Sequence, residues 1–156
     1  VTAFLFRQYE PLIQQASIFA IFITLITGTA GNTGTQSLAV AIRKIGLHEE
    51  EQSFWKVLVQ EGTTGLGIGL ISGVVVFGIV SLWQGSVVLG GIIGFAMFAS
   101  IFVAALTGTC IPFALEKFNF DPSIASGPFI TTVNDLTTVL VYFTIVSQFI
   151  SVYLAK

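Results

Sequence analysis

Asp135 closes the run Thr131-Thr132-Val133-Asn134-Asp135, inside an apolar stretch that continues through Leu136, Val139, Leu140, Val141 and Phe143 to Ile150. A lone carboxylate at a bilayer centre costs roughly 2.5–3.5 kcal/mol on insertion scales. A chain keeps such a group where it meets water, a proton or a cation. Thr131, Thr132, Thr138 and Tyr142 fall within the i±3, i±4 and i+7 neighbourhood of Asp135, which places it on a polar stripe of a helix and predicts a wet face.

A second polar constellation comes roughly a hundred residues earlier: Thr24, Thr27, Gly28, Thr29, Gly31, Asn32, Thr33, Gly34, Thr35, Gln36 and Ser37. Asn32 and Gln36 are one helical turn apart and share a face. Carboxamides and hydroxyls offer neutral oxygens, which can hold the waters of a hydrated cation or bridge helices. A carboxylate with neutral oxygens, and no thiolate set or spanning histidine, favours a hard ion over zinc or copper. Mg²⁺ dehydrates reluctantly, so a site that meets its water shell needs few protein charges. One Asp per chain is sparse for a divalent ion, whereas a two-fold homodimer brings two to its axis. Glu61 near one end of its segment, and Glu116 with Asp121 at the end of another, are candidates for an acidic mouth. Helix-end roles compete for each.

The elements that position these residues follow from composition. The chain has 156 residues, 54% hydrophobic and 9% charged, with mean hydropathy +0.92. A soluble domain carries about 25% charged residues, so this surface belongs in a lipid bilayer. Six basic and eight acidic groups are too few for a nucleic-acid surface. Cys110 is the single cysteine, so no internal disulfide forms. His48, beside Glu49-Glu50-Glu51, reads as a solvated loop residue.

Four long apolar segments, about 11–45, 54–83, 86–116 and 122–154, each hold the roughly 20 residues of a spanning helix. None alternates as a membrane strand does. Val1 to Phe6 reads as the tail of a helix begun earlier, and the chain as a fragment of a longer protein. The expectation is an all-α integral membrane bundle with four full transmembrane helices plus the end of a first. Asp121-Pro122 predicts the start of the last helix. Asp135 is 14 residues on, about 21 Å at 1.5 Å per residue. Pro128 then lies inside that helix and predicts a kink. Gly65, Gly69 and Gly73, and likewise Ala96, Ser100, Ala104 and Gly108, are spaced for close helix packing. The loops around 43–56 and 116–122 share one side, carrying Arg43, Lys44, Lys56 and Lys117 against Arg7 and Lys156 on the other. That bias makes the first side cytoplasmic and puts the C-terminus outside.

Two blocks together, Gly28-Thr29-Ala30-Gly31-Asn32-Thr33-Gly34-Thr35-Gln36-Ser37 and Asp121-Pro122 with Ser126-Gly127-Pro128 and Thr131-Thr132-x-x-Asp135, resemble the membrane domain of the MgtE magnesium channels. The resemblance runs through nearly the whole chain, including Glu61-Gly62 and Pro112-Phe113. It implies a homodimer with five spans per subunit, a pore on the dimer axis and selectivity for Mg²⁺. Asp135 then matches the pore aspartate, with Asn32, Gln36, Thr131, Thr132, Pro128 and Thr138 lining or supporting the pore. The resemblance also implies cytoplasmic sensor domains, which are not in this sequence. Ala30 and Thr138 depart from the pattern, each standing where glycine is common.

Residue 1–156 thus reads as one pore domain in a cell membrane, conducting hydrated Mg²⁺. The alternative is a cation- or proton-coupled carrier of divalent metal ions, with Asp135 titrating during alternating access. An enzyme is disfavoured: an intramembrane aspartyl protease needs two apposed aspartates, and Asp121 sits at a helix start.

Overall fold

The computed structural model describes residues 18–47, 53–125 and 128–154. They form four long helices: α1 (Ile18–Gly46), α2 (Phe54–Gln84), α3 (Val87–Lys117) and α4 (Pro128–Leu154). A 3-10 turn, Pro122–Ala125, precedes α4. No strand occurs among the described residues. α2, α3 and residues 128–149 of α4 are each long and apolar enough to cross a membrane. α1 has 29 residues, about 43 Å of helix. Its polar run fills the middle. The Val1–Phe6 remnant, the helix start at Pro11, His48 with the Glu49–Glu51 run, and Gly127 lie outside the described residues.

Local sequence sets the boundaries. α2 ends where Gly85 turns left-handed at φ 64, a conformation that costs glycine little. Ser86 then caps α3, its Oγ accepting the Leu89 N–H at 3.3 Å. α3 ends in a Schellman closure. Asn119 takes φ 60, its N–H bonding the Glu116 carbonyl and the Phe120 N–H the Leu115 carbonyl, both at 2.9 Å. The tight α2–α3 turn makes these two helices an antiparallel hairpin. Phe22 near the start of α1 meets Trp83 at the end of α2, and Gly34 in the second half of α1 meets Asn134 near the start of α4, so α2 and α4 both start from the end carrying Arg43, Lys44, Lys56 and Lys117.

α3 is the axis of the bundle. It packs on each of the other helices, while α1 and α2 scarcely touch. The glycine spacing seen in the sequence accounts for the close approach. A Cβ on Gly73 would meet the Gly94 carbonyl oxygen at 2.7 Å, and one on Gly94 would meet that of Gly73 at 2.6 Å. On the other side of α3, a Cβ on Gly108 would collide with the carbonyl of Gly34. Backbone-to-backbone contact of this kind replaces the hydrophobic drive that lipid cannot supply between helices. Phe19, Ile26, Ile93, Ile101, Val139 and Phe143 fill the space between α1, α3 and α4. The far side of α2 exposes Leu70, Ile71, Val74, Val75, Ile79 and Leu82, an apolar surface suited to acyl chains.

One boundary differs from the sequence expectation. Asp121-Pro122 opens the four-residue 3-10 turn rather than α4, and Asp121 Oδ1 accepts the Ser123 N–H at 2.8 Å. Pro128 is the first residue of α4, where its missing N–H has no helical partner to lose. It therefore starts the helix instead of kinking it. Asp135 is seven residues along α4, about 10.5 Å from its start.

Candidate functional site

Neighbouring residues on α4 point about 100° apart, and Asn134 and Asp135 divide accordingly. Asn134 faces inward and is 0% exposed. Its carboxamide presses on Gly34, where even a Cβ would clash with it. Asp135 is half-buried at the edge of the same contact. A Cβ on Gly31 would lie 3.7 Å from Asp135 Oδ1, so the carboxylate rests against bare α1 backbone. The polar middle of α1 is thereby placed directly beside the carboxylate.

From this seam a polar face opens outward. On α1 it exposes Thr24, Gly28, Asn32 and Gln36, spaced one turn apart; on α4 it exposes Pro128, Thr131 and Thr132. Three of the hydroxyls are committed to their own helices. Thr29 Oγ1 donates to the Leu25 carbonyl at 2.8 Å, Thr35 Oγ1 to that of Gly31 at 3.0 Å, and Thr132 Oγ1 to that of Pro128 at 2.8 Å. A hydroxyl that has spent its one proton in this way has only lone pairs left to offer. These three hydroxyl oxygens, with the amide oxygens of Asn32 and Gln36, present acceptors beside the carboxylate, matched to donors such as the water shell of a cation. Among the described residues, no group of three or more His, Cys, Asp or Glu gathers to hold a metal ion directly.

Thr138 and Tyr142, expected on the open stripe, are turned inward. Thr138 is 1% exposed with no partner for its hydroxyl. It lies one turn beyond Asn134, on the buried arc. Tyr142 is buried and its hydroxyl donates to the Phe19 carbonyl at 2.6 Å, tying the start of α1 to α4. Glu61 is 6% exposed. It sits seven residues into α2, about 10.5 Å along the helix from its start. Glu116 and Asp121 are exposed at the lysine-bearing end. Ser123 holds the Asp121 carboxyl below its ordinary range through its backbone N–H and its side chain.

Sequence spacing alone passes over Asn134 and Gly34. Neither atom of the Asn134 carboxamide finds a hydrogen-bond partner, and such a group costs about 1–3 kcal/mol. The signal available was the pair Asn134 and Thr138, four apart and so on one arc, beside a carboxylate on another.

A family model described as a divalent cation transporter, MgtE, matches residues 23–145. Among curated proteins, the magnesium transporter MgtE of Enterococcus faecalis is 51% identical over 149 residues, covering 95% of this chain and 33% of that protein. The protein of the same name from Bacillus subtilis is 39% identical over 91% of the chain and 32% of its own length. That of Thermus thermophilus is 30% identical over 93% and 32%. The chain thus spans about a third of the length of these relatives. With the match covering both polar blocks and the helices that carry them, the chain belongs to the MgtE family of divalent cation transporters.

Proposed function

We propose that the chain is the pore-forming part of a Mg²⁺ channel. Two copies bring their α1/α4 faces together around a common axis, and hydrated Mg²⁺ passes between the two Asp135 carboxylates. The observation that carries this reading is the half-buried Asp135 set at the edge of a face of acceptor oxygens in an otherwise apolar bundle. Left against lipid, that face would be costly. Set against its own copy, it becomes a water-filled path with two negative charges at one level.

The ion keeps its waters in this reading. Mg²⁺ binds commonly through one or two carboxylates while retaining several waters. The Thr35 and Thr132 oxygens, with the carboxamides of Asn32 and Gln36, accept from those waters. Asp135 supplies charge without stripping the shell. Pro128 begins α4 at the mouth, and Thr131 and Thr132 follow it along the path. The end with Arg43, Lys44, Lys56 and Lys117 is cytoplasmic by the charge bias of the loops. The three relatives are each called a magnesium transporter, which is what supplies the choice of ion.

The test is Mg²⁺ uptake into proteoliposomes by the full-length protein with Asp135→Asn. Loss of uptake with the oligomer intact is expected; undiminished uptake overturns the assignment. A channel also passes current with no proton or sodium gradient imposed, whereas a coupled carrier does not.

A further inference from the structure

We propose that each subunit carries a site for an anionic phospholipid at the lysine-bearing end of the α2–α3 hairpin. A cavity of about 460 Å³ opens there, lined by Phe54, Cys110, Phe113, Ala114 and Lys117. Its walls are apolar. Phe54 and Phe113 meet edge to face at 5.3 Å, and Phe54 meets Trp55 at 5.2 Å. Among the described residues, Lys117 is the one charged group in the lining, at the last residue of α3.

The arrangement matches a lipid part by part. Both helices are apolar enough to span a membrane, and the cavity lies at their ends, where headgroups meet acyl chains. Trp55, Phe118 and Phe120 are largely exposed at this level, as interfacial aromatics are. The apolar walls receive the upper part of an acyl chain, and the Lys117 ammonium receives the phosphate. A second positive element adjoins it. Ser53 makes no side-chain bond to cap α2, so the amides of Phe54 and Trp55 at that positive helix end remain to meet an anion. A zwitterionic headgroup satisfies the phosphate contact but brings its own cation to a place that already holds one. Glu116 and Asp121 are exposed at the same end but do not line the cavity, so the charge in the lining selects an anionic lipid. The α1/α4 face is elsewhere on the bundle, so this site stands or falls independently of the pore.

The experiment is native mass spectrometry of the purified full-length protein, released from nanodiscs containing phosphatidylglycerol or phosphatidylcholine. Retention of phosphatidylglycerol over phosphatidylcholine is expected. Lys117→Gln lowers retention about fivefold, the worth of one lysine at an anionic surface. Ala114→Phe, at an exposed position that fills the cavity, lowers it with the charge intact. Lys56→Gln, at the same end but outside the cavity, lowers retention alike with the cavity intact or altered and does not abolish the difference that Lys117→Gln and Ala114→Phe make. Equal retention of the two lipids overturns the proposal, as does retention insensitive to Lys117→Gln or to Ala114→Phe. So does the absence of bound lipid, which would show the cavity covered by protein.

Discussion

The side chain of Asn134 lies in the notch left by Gly34, and that contact sets the register of α4 against α1. Asp135 is the next residue, so its depth and its approach to Gly31 follow from the same contact. A helix face chosen for packing thereby holds the adjacent face chosen for charge.

Gly34→Ala is expected to destabilise the fold by about 1–3 kcal/mol through overpacking. The added methyl meets the Asn134 carboxamide, which is itself wedged. Combining it with Asn134→Ala returns part of that loss, because the two changes share one contact. Thermal unfolding of the four variants in detergent measures the coupling. Additive losses would show that the notch does not couple the two residues.

Thr138→Val keeps the side-chain shape and removes a buried hydroxyl without a partner. Stability should rise by about 1 kcal/mol, since the desolvation cost disappears with the group. Mg²⁺ uptake by this variant should be unchanged, because Thr138 faces the subunit interior. A large loss of uptake would place Thr138 on the path after all.

Tyr142→Phe deletes the hydrogen bond to the Phe19 carbonyl, at 2.6 Å the shortest tie between the start of α1 and α4 among the hydroxyl contacts described. A buried bond of this type contributes about 0.5–1.5 kcal/mol. Hydrogen exchange should quicken in the first turns of α1 and little elsewhere. Uniform acceleration through the bundle would show that the tie is not local.

Asp121 gives the pH prediction. Its folded-state carboxyl titrates below the ordinary value because the charged form accepts hydrogen bonds from Ser123. The sign follows: the contribution is fully present above the unfolded value near pH 4 and is lost as pH falls through the lower folded value. Asp121→Asn should remove that acid dependence of the 3-10 turn while keeping an oxygen for the Ser123 N–H. A carbon-detected titration of Asp121 checks the direction, and a midpoint above that of a free aspartate would contradict it.

Much of this was legible in the residues. The glycine stripe at 65, 69 and 73 does face α3, because small residues at four-residue spacing have few other uses in lipid. The apolar runs gave α2 and α3 nearly to the residue. Asp121-Pro122 is locally a good helix opening, but only the following residues decide whether such a turn propagates, and α4 starts at Pro128 instead. The arc around Asp135 was misassigned in part for a related reason. Threonines at i±3 and i±4 flank a residue on both sides, and spacing alone cannot say which side a neighbouring helix will cover. Asn32, Gln36, Thr131 and Thr132 stayed on the open side, while Thr138 and Tyr142 went under α1 and α3.

The central position of α3 carries a consequence for biosynthesis. The chain leaves the ribosome in the order α1, α2, α3, and α1 makes almost no contact with the helix that follows it. Gly34 has no surface to close on until Gly108 has been made, some seventy residues later. During that interval Thr33 and Ser37 of α1, both buried in the finished fold, have no settled neighbour. The nascent helix must be sheltered by water or by the insertion machinery until its partner arrives. Slowing translation between α2 and α3 would prolong that exposed stage and favour loss of the chain to membrane proteases.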